Sequence, residues 1–169
     1  MDAPLGWLNE APDDHRLRAE LAACCAARSW IAALVAGRPY LDQDALFAAS
    51  DAAIAELTET GLAEALAAHP RIGDRTGEAW SRQEQAGVAS ASADLQAELA
   101  AANAAYEQRF GQVYLVCATG KSAEELLAIC RSRLGNDPAT ERTMVLDELA
   151  KISRLRLAKL LNREEGVAG

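Results

Sequence analysis

The chain is poor in aromatic side chains, which make up 5% of its 169 residues; alanine fills much of the surface of its helical stretches instead. It has two histidines and four cysteines, Cys24, Cys25, Cys117 and Cys130, and no C-x-x-C pair. That argues against a zinc site. The cysteines read as small buried hydrophobes in a reducing compartment. No apolar stretch approaches the roughly 18 residues needed to span a membrane. The first residues lack a basic region followed by an apolar run, so no signal peptide is expected. Gly166-Val167-Ala168-Gly169 is not a peroxisomal address. A cytoplasmic location is the expectation. Cations are in the minority, with 17 Lys and Arg against 25 Asp and Glu and a net charge of −8. Nucleic acid needs a basic surface, so it is not an expected partner. A small anion held by one or two buried arginines is compatible with this balance.

The length suits one compact domain, residues 1–169, and the balance of 50% hydrophobic and 25% charged residues is that of a globular protein with a real core. No repeat, linker or low-complexity tail is visible. Apolar residues recur at three- and four-residue spacing along most of the chain. Asp13 or Asp14 can cap a helix running to about Ala27, and Ser29 can cap a second that Gly37 ends. Asp42 opens a third through Leu57. Gly61 interrupts, and Leu62–Ala68 makes a short helix ending at His69-Pro70. Ser81-x-x-Glu84 and Ser122-x-x-Glu125 have capping-box spacing. A long helix from Ser92 to Arg109 carries Leu95, Leu99, Ala102 and Tyr106 on one face and stops at Phe110-Gly111. Val113–Ala118 is rich in β-formers but has no partner strand, so it reads as an extended buried segment or a helix start. Asp137-Pro138 supplies a cap and a first-turn proline for a last helix to about Asn162. The expected fold is all-α: a single-domain bundle of about seven to eight helices with little or no sheet.

The amphipathic pattern breaks at His69-Pro70-Arg71-Ile72-Gly73-Asp74-Arg75, followed by Trp80-Ser81-Arg82-Gln83-Glu84-Gln85. Loops on a rigid scaffold carry function more often than helix interiors do. His69 stands just past a helix C-terminus, where the macrodipole favours a cation, and Pro70 keeps it out of the α region. Such a histidine can donate and recover a proton near neutrality, or it can simply terminate a helix. His15, in a polar first turn, reads as solvent-facing. Glu84 has a structural explanation as a capping-box residue and a functional one as an orienting carboxylate. Gln85 offers a donor and an acceptor to an amide-like ligand. On the last helix Val145, Leu149, Ile152 and Leu160 form an apolar stripe with Arg156 in its middle, while Lys151 and Arg154 fall on other faces. A buried guanidinium must have a partner, either an internal carboxylate or an anionic substrate. Arg71, Asp74 and Arg75 read as internal ion pairs of the loop. No phosphate-binding glycine pattern, nucleophile elbow, or flavin, nicotinamide or pyridoxal motif is present.

Taken in order, these stretches resemble the OHCU decarboxylase family. The resemblance rests on His69-Pro70-Arg71-Ile72-Gly73, Ser81-x-x-Glu84-Gln85, and Glu107-x-Arg109-Phe110-Gly111 ahead of a run ending Cys117-Ala118. It continues in Lys151-Ile152-x-x-Leu155-Arg156-Leu157, with Leu8-Asn9 and Arg38-Pro39-Tyr40 near the start. It implies an all-α, usually homodimeric enzyme that works without cofactor or metal. The reaction it implies is decarboxylation of 2-oxo-4-hydroxy-4-carboxy-5-ureidoimidazoline to (S)-allantoin in uric acid degradation. By residue match, His69, Glu84 and Arg156 are the catalytic residues. Pro70, Ser81, Gln85 and the backbone of Val116, Cys117, Ala118 and Thr119 are the substrate contacts.

Such chemistry needs donors to hold a small anion, an acceptor for the electron pair left when CO2 departs, and an acid on one face of the resulting carbon. The substrate's ring and carbonyl supply the acceptor, and Arg156 or backbone N–H groups can stabilise developing charge. Two other classes stay open on residues alone. One is a non-catalytic helical binding module for a small purine-derived ureide. The other is a structural helical protein whose His69 and Arg156 serve in a cap and a salt bridge.

Overall fold

The computed structural model describes residues 3–73 and 83–168. Asp74, Arg75, Trp80 and Ser81, with the capping role read for Ser81, lie outside the described residues. Those described form an all-α fold of nine helices with no strand. They are α1 (Ala3–Glu10), α2 (His15–Cys24), α3 (Arg28–Ala36), α4 (Gln43–Ala55), α5 (Glu59–Ala67), α6 (Ala86–Ala89), α7 (Ala93–Phe110), α8 (Ala123–Arg133) and α9 (Pro138–Ala168). No single helix among them is long and apolar enough to cross a membrane.

Side chains set most boundaries. Asp14, Asp42 and Ser92 each accept the N–H three residues on, which removes one orphan donor of the first turn. Ser122 and Glu125 form the reciprocal capping box at α8. Asp137 accepts from Thr140 N–H at 2.7 Å and Pro138 opens α9. Gly111, at φ +70°, closes α7 in the left-handed conformation that glycine adopts without a Cβ penalty.

Three expectations are corrected, and one helix is added. α1 has no forerunner in the sequence reading. α3 begins at Arg28 with Ala27 as its cap residue and no side-chain capping bond, so Ser29 sits inside the first turn. Ala27 is fully buried at that corner, where a polar cap would need a partner of its own. Gly61 lies inside α5, which starts two residues before it; Thr58 does the capping, accepting Gly61 N–H at 3.1 Å. α9 runs past Asn162 to Ala168.

The packing divides the chain into two compact units. The first comprises residues up to Ala68 together with those from Ala150 onward. It buries Leu17, Leu21, Trp30, Leu34, Leu46, Ile54, Leu157 and Leu160. Trp30 Nε1 donates to the buried Ser50 hydroxyl at 3.1 Å. Asn9 holds Tyr40 by both backbone groups, donating to its carbonyl at 2.9 Å and accepting its N–H at 2.8 Å. Arg38 donates to the carbonyls of Leu8 and Ala11 at the end of α1.

The second unit is the continuous run His69–Leu149. Its core joins Ile72, Val88, Leu99, Tyr106, Tyr114, Val116, Leu126 and Cys130, and α7 packs along α8. Nearly all the residues singled out by the sequence pattern fall in this unit.

Candidate functional site

α5 ends at Ala67 with Ala68 as its cap, and the chain turns into His69 and Pro70, both half-buried. Three contacts fix the residues that follow. The Arg71 guanidinium makes a two-pronged ion pair with Glu107 of α7, at 2.6 and 3.0 Å. It therefore reaches a helix of the unit; the pairing expected with Asp74 and Arg75 lies outside the described residues. Asn103, one turn before Glu107, donates its side-chain N–H to the Ile72 carbonyl at 2.9 Å. Gln85 Oε1 accepts the Gly73 N–H at 2.7 Å. Ile72 itself is core, and Gly73 has φ +94°, a conformation that L side chains rarely adopt.

Gln85 precedes α6, and α6 is pressed onto a second backbone segment. A Cβ on Gly87 would lie 2.4 Å from the Lys121 carbonyl oxygen, so only glycine permits this approach. Lys121 ends the segment Tyr114–Lys121, which belongs to no helix or strand and closes in a turn. Tyr114 to Ala118 are buried, while Thr119 is exposed. Lys121 N–H bonds back to the Ala118 carbonyl at 3.0 Å, with Gly120 at φ +75° inside the turn.

This segment looks like a strand in sequence and has no neighbouring strand. Its carbonyls are satisfied in other ways. Arg133 donates to Leu115 O at 2.7 Å and Lys121 Nζ to Cys117 O at 2.6 Å. Among the described residues, none accepts a hydrogen bond from the backbone N–H groups of Val116, Cys117 or Ala118. They are buried donors of the kind that binds an oxyanion or a carbonyl.

The arginine that holds Leu115 is itself locked. Arg133 and Glu141 are each 1% exposed and share several N–H···O bonds of 2.7–2.9 Å. Tyr106 donates its hydroxyl to the same carboxylate, and Asn136 Nδ2 approaches it at 3.3 Å. The guanidinium also lies over the rings of Tyr114 and Tyr106. Burial alone would raise the Glu141 pKa, but the bonds from Arg133 and Tyr106 outweigh it and hold the carboxyl below its usual range.

In the first unit Arg156 is buried between Ile152 and Leu160, as its place in the stripe requires, and donates to the Ala23 carbonyl at 3.3 Å. Burial pushes the neighbouring Cys24 thiol up to about 12, against the opposing pull of the Arg156 charge. Lys151 and Arg154 are exposed, and Arg154 pairs with Asp51. His15 is exposed as well.

Of the residues named from sequence, Gln85 is tied to the His69–Gly73 segment through Gly73, and Glu84 lies beside it, half-buried. Val116, Cys117 and Ala118 are consecutive buried residues of the non-helical run in the same unit. Ser81 lies outside the described residues. Sequence reasoning missed Asn103 and the Arg133–Glu141–Tyr106 network. Asn103 was detectable: it occupies the apolar face of α7 with Leu99, Ala102 and Tyr106, the same test that singled out Arg156. Arg133 gave no such signal, because its partner is on another helix.

The OHCU decarboxylase family matches residues 10–158. A 2-oxo-4-hydroxy-4-carboxy-5-ureidoimidazoline decarboxylase of Amia calva is 34% identical over 137 residues, covering 77% of this chain and 78% of that protein. The uric acid degradation bifunctional protein TTL of Arabidopsis thaliana is 29% identical over 147 residues, 82% of this chain; the chain spans 45% of that longer protein. A crystal structure of OHCU decarboxylase in the presence of (S)-allantoin superposes with a TM-score of 0.74 at 30% identity, covering 85% of this chain and 97% of that one. With the family pattern running through both units of the fold, the chain belongs to the OHCU decarboxylase family.

Proposed function

We propose that this protein decarboxylates 2-oxo-4-hydroxy-4-carboxy-5-ureidoimidazoline to (S)-allantoin, without metal or organic cofactor, in uric acid degradation. The observation that carries the reading is the second unit's arrangement. A histidine-bearing turn is clamped to Gln85, and buried N–H donors at Val116–Ala118 have no acceptor among the described residues. A small substrate rich in carbonyl and ureido groups needs such donors and acceptors.

In the reaction the bond from the ring carbon to the carboxylate breaks, and CO2 leaves. The electron pair passes into the imidazoline ring, where backbone donors stabilise the developing charge. His69 then delivers a proton from one face to the neighbouring ring carbon that bears the ureido group, while the hydroxyl on the decarboxylated carbon gives up its proton and becomes the carbonyl of allantoin, so that one enantiomer results. Glu84 orients the imidazole or a ureido N–H. Pro70, Ser81 and Gln85 contact the substrate with the Val116–Thr119 backbone. The role of Arg156, holding an anionic group of the substrate, rests on the residue match and on guanidinium chemistry. The protein acts as a homodimer in the cytoplasm, with neither nucleic acid nor a membrane as partner.

The test is a coupled assay in which urate is oxidised and the product hydrolysed enzymatically to give fresh substrate. Circular dichroism then follows allantoin. Rapid formation of one enantiomer, lost in His69→Ala, is the expected result. Slow racemic decay at the spontaneous rate with wild-type protein would sink the reading.

A further inference from the structure

Asn103 is 4% exposed, on the inner face of α7, between Leu99 and Tyr106. Its Nδ2 has one acceptor, the Ile72 carbonyl. Its Oδ1 is buried and has no hydrogen-bond partner among the described residues. A buried carbonyl oxygen without a partner is destabilising, and an apolar side chain of similar size avoids that cost. The amide is therefore a poor choice for stability on this face. What it provides is a single N–H aimed at the backbone three residues beyond His69.

The surroundings sharpen the point. Ile72 and Asn103 both line a cavity of about 610 Å³ beside α7, together with Val88, Gln96 and Ala100. Ile72 is thus packed into the core on one side and borders open space on the other, where the Asn103 bond adds a directional restraint to the packing. Glu107, on the same helix face one turn on, takes the Arg71 guanidinium, but that pair is solvent-exposed and screened. The buried bond from Asn103 is the stiffer of the two restraints that α7 places on this turn.

We infer that Asn103 is a positioning residue: through the Ile72 carbonyl it sets where the His69–Pro70 turn presents its imidazole. This rests on the decarboxylase reading for the role of His69. Pro70 fixes one backbone dihedral of the turn and the Arg71 side chain is tied to Glu107, so holding the Ile72 carbonyl narrows the paths the chain can take back to the imidazole. Displacing a reacting group by about 1 Å can cost on the order of 100-fold in rate.

The experiment compares wild type, Asn103→Leu and Gln96→Leu. Gln96 lines the same cavity from the same helix but bonds to the carbonyls of Ala91 and Val88. Kinetics are paired with imidazole NMR, for which His15, the other of the two histidines, is an internal reference. Asn103→Leu is expected to melt within a few degrees of wild type. Its kcat falls about 10-fold to 100-fold, its KM moves less than about 3-fold, and its product loses enantiomeric purity. Its His69 ring signals shift while those of His15 stay. Gln96→Leu keeps wild-type kcat. Should Asn103→Leu not fold, Asn103→Ser, whose hydroxyl is too short to reach Ile72, is scored on the same readouts. A folded Asn103 variant with wild-type kcat and an unmoved His69 signal overturns the inference while leaving the decarboxylase reading intact. A wild-type protein without activity overturns that reading and this inference together.

Discussion

Gln85 accepts the Gly73 N–H through Oε1, which leaves the Nε2 amide hydrogens pointing away from that bond. One side chain thus faces the histidine turn with its acceptor and keeps its donors for another partner. Gln85→Glu preserves the acceptor and removes the donors. We expect an intact fold, nearly unchanged kcat and a KM raised about 10-fold, the worth of one hydrogen bond to substrate. Gln85→Leu removes both, and its kcat should fall as well. Steady-state kinetics of the pair separate the two functions; equal effects from both would show that the acceptor does nothing.

Gly87→Ala places a methyl group 2.4 Å from the Lys121 carbonyl, and backbone rather than a flexible side chain must give way. We expect a destabilisation of about 1–3 kcal/mol from overpacking, with activity reduced per folded molecule because Val116–Ala118 shift along with Lys121. Urea titration and kcat measured on the same preparation check this. A wild-type kcat in the alanine variant would show that the segment moves without consequence.

The Glu141 carboxyl titrates below its ordinary range in the fold and normally, near 4.3 to about 4.5, in the unfolded chain. Between those two values the unfolded chain binds more protons. The stability this group contributes is therefore complete above its unfolded pKa and drains away as the pH falls through the folded one. Urea midpoints of the wild type should drop steeply below about pH 4.5. Glu141→Gln should lose about 3–5 kcal/mol at pH 7, because Arg133 is left buried without its counter-charge, and should show a shallower acid limb. Equal stability of the two proteins at pH 7 would contradict the assigned role.

All four cysteines are buried and unpaired. Burial lifts Cys24 to about 12 and Cys130 to about 11, and it raises Cys25 too. The thiolate is the reactive form, so at pH 8 the native protein should react slowly with a disulfide reagent and release its thiols only on unfolding. A fast-reacting thiol in native protein would mean that one cysteine is accessible.

The helices were largely legible because their punctuation is local. Asp14, Asp42, Ser92 and Ser122 each cap within four residues of their own position, and Gly111 and Pro138 act on the backbone where they stand. Arg156 was legible as buried because one helix face carries its whole context. What escaped was the pairing of distant pieces. Leu8-Asn9 and Arg38-Pro39-Tyr40 stand out in the sequence as separate fragments. In the fold they are one object, with Asn9 and Arg38 cross-bonded between the two backbones. Val113–Ala118 had the composition of a strand and no partner, and the side chains that replace the partner, Arg133 and Lys121, carry no mark of that duty. At the candidate site the residue types were readable. The clamp of Asn103 and Gln85 on the turn was not, since, unlike a cap three residues from its target, these bonds reach backbone 31 and 12 residues away and have no fixed spacing to read.

The first unit is made from both ends of the chain, with the second inserted between them. On the ribosome, α1 to α5 emerge first but cannot be completed. The arginines that meet Asp51, Ala23 and Glu20 are 154, 156 and 163, translated 103 to 143 residues after their partners. The inserted run 69–149 has all its parts in one stretch and can close while synthesis continues. The topology therefore runs against the usual order, in which the N-terminal part of a protein folds first: we expect the unit holding the histidine turn and the Val116–Ala118 segment to close before the first unit, whose α1–α5 lack the partner residues of α9 until these are synthesised.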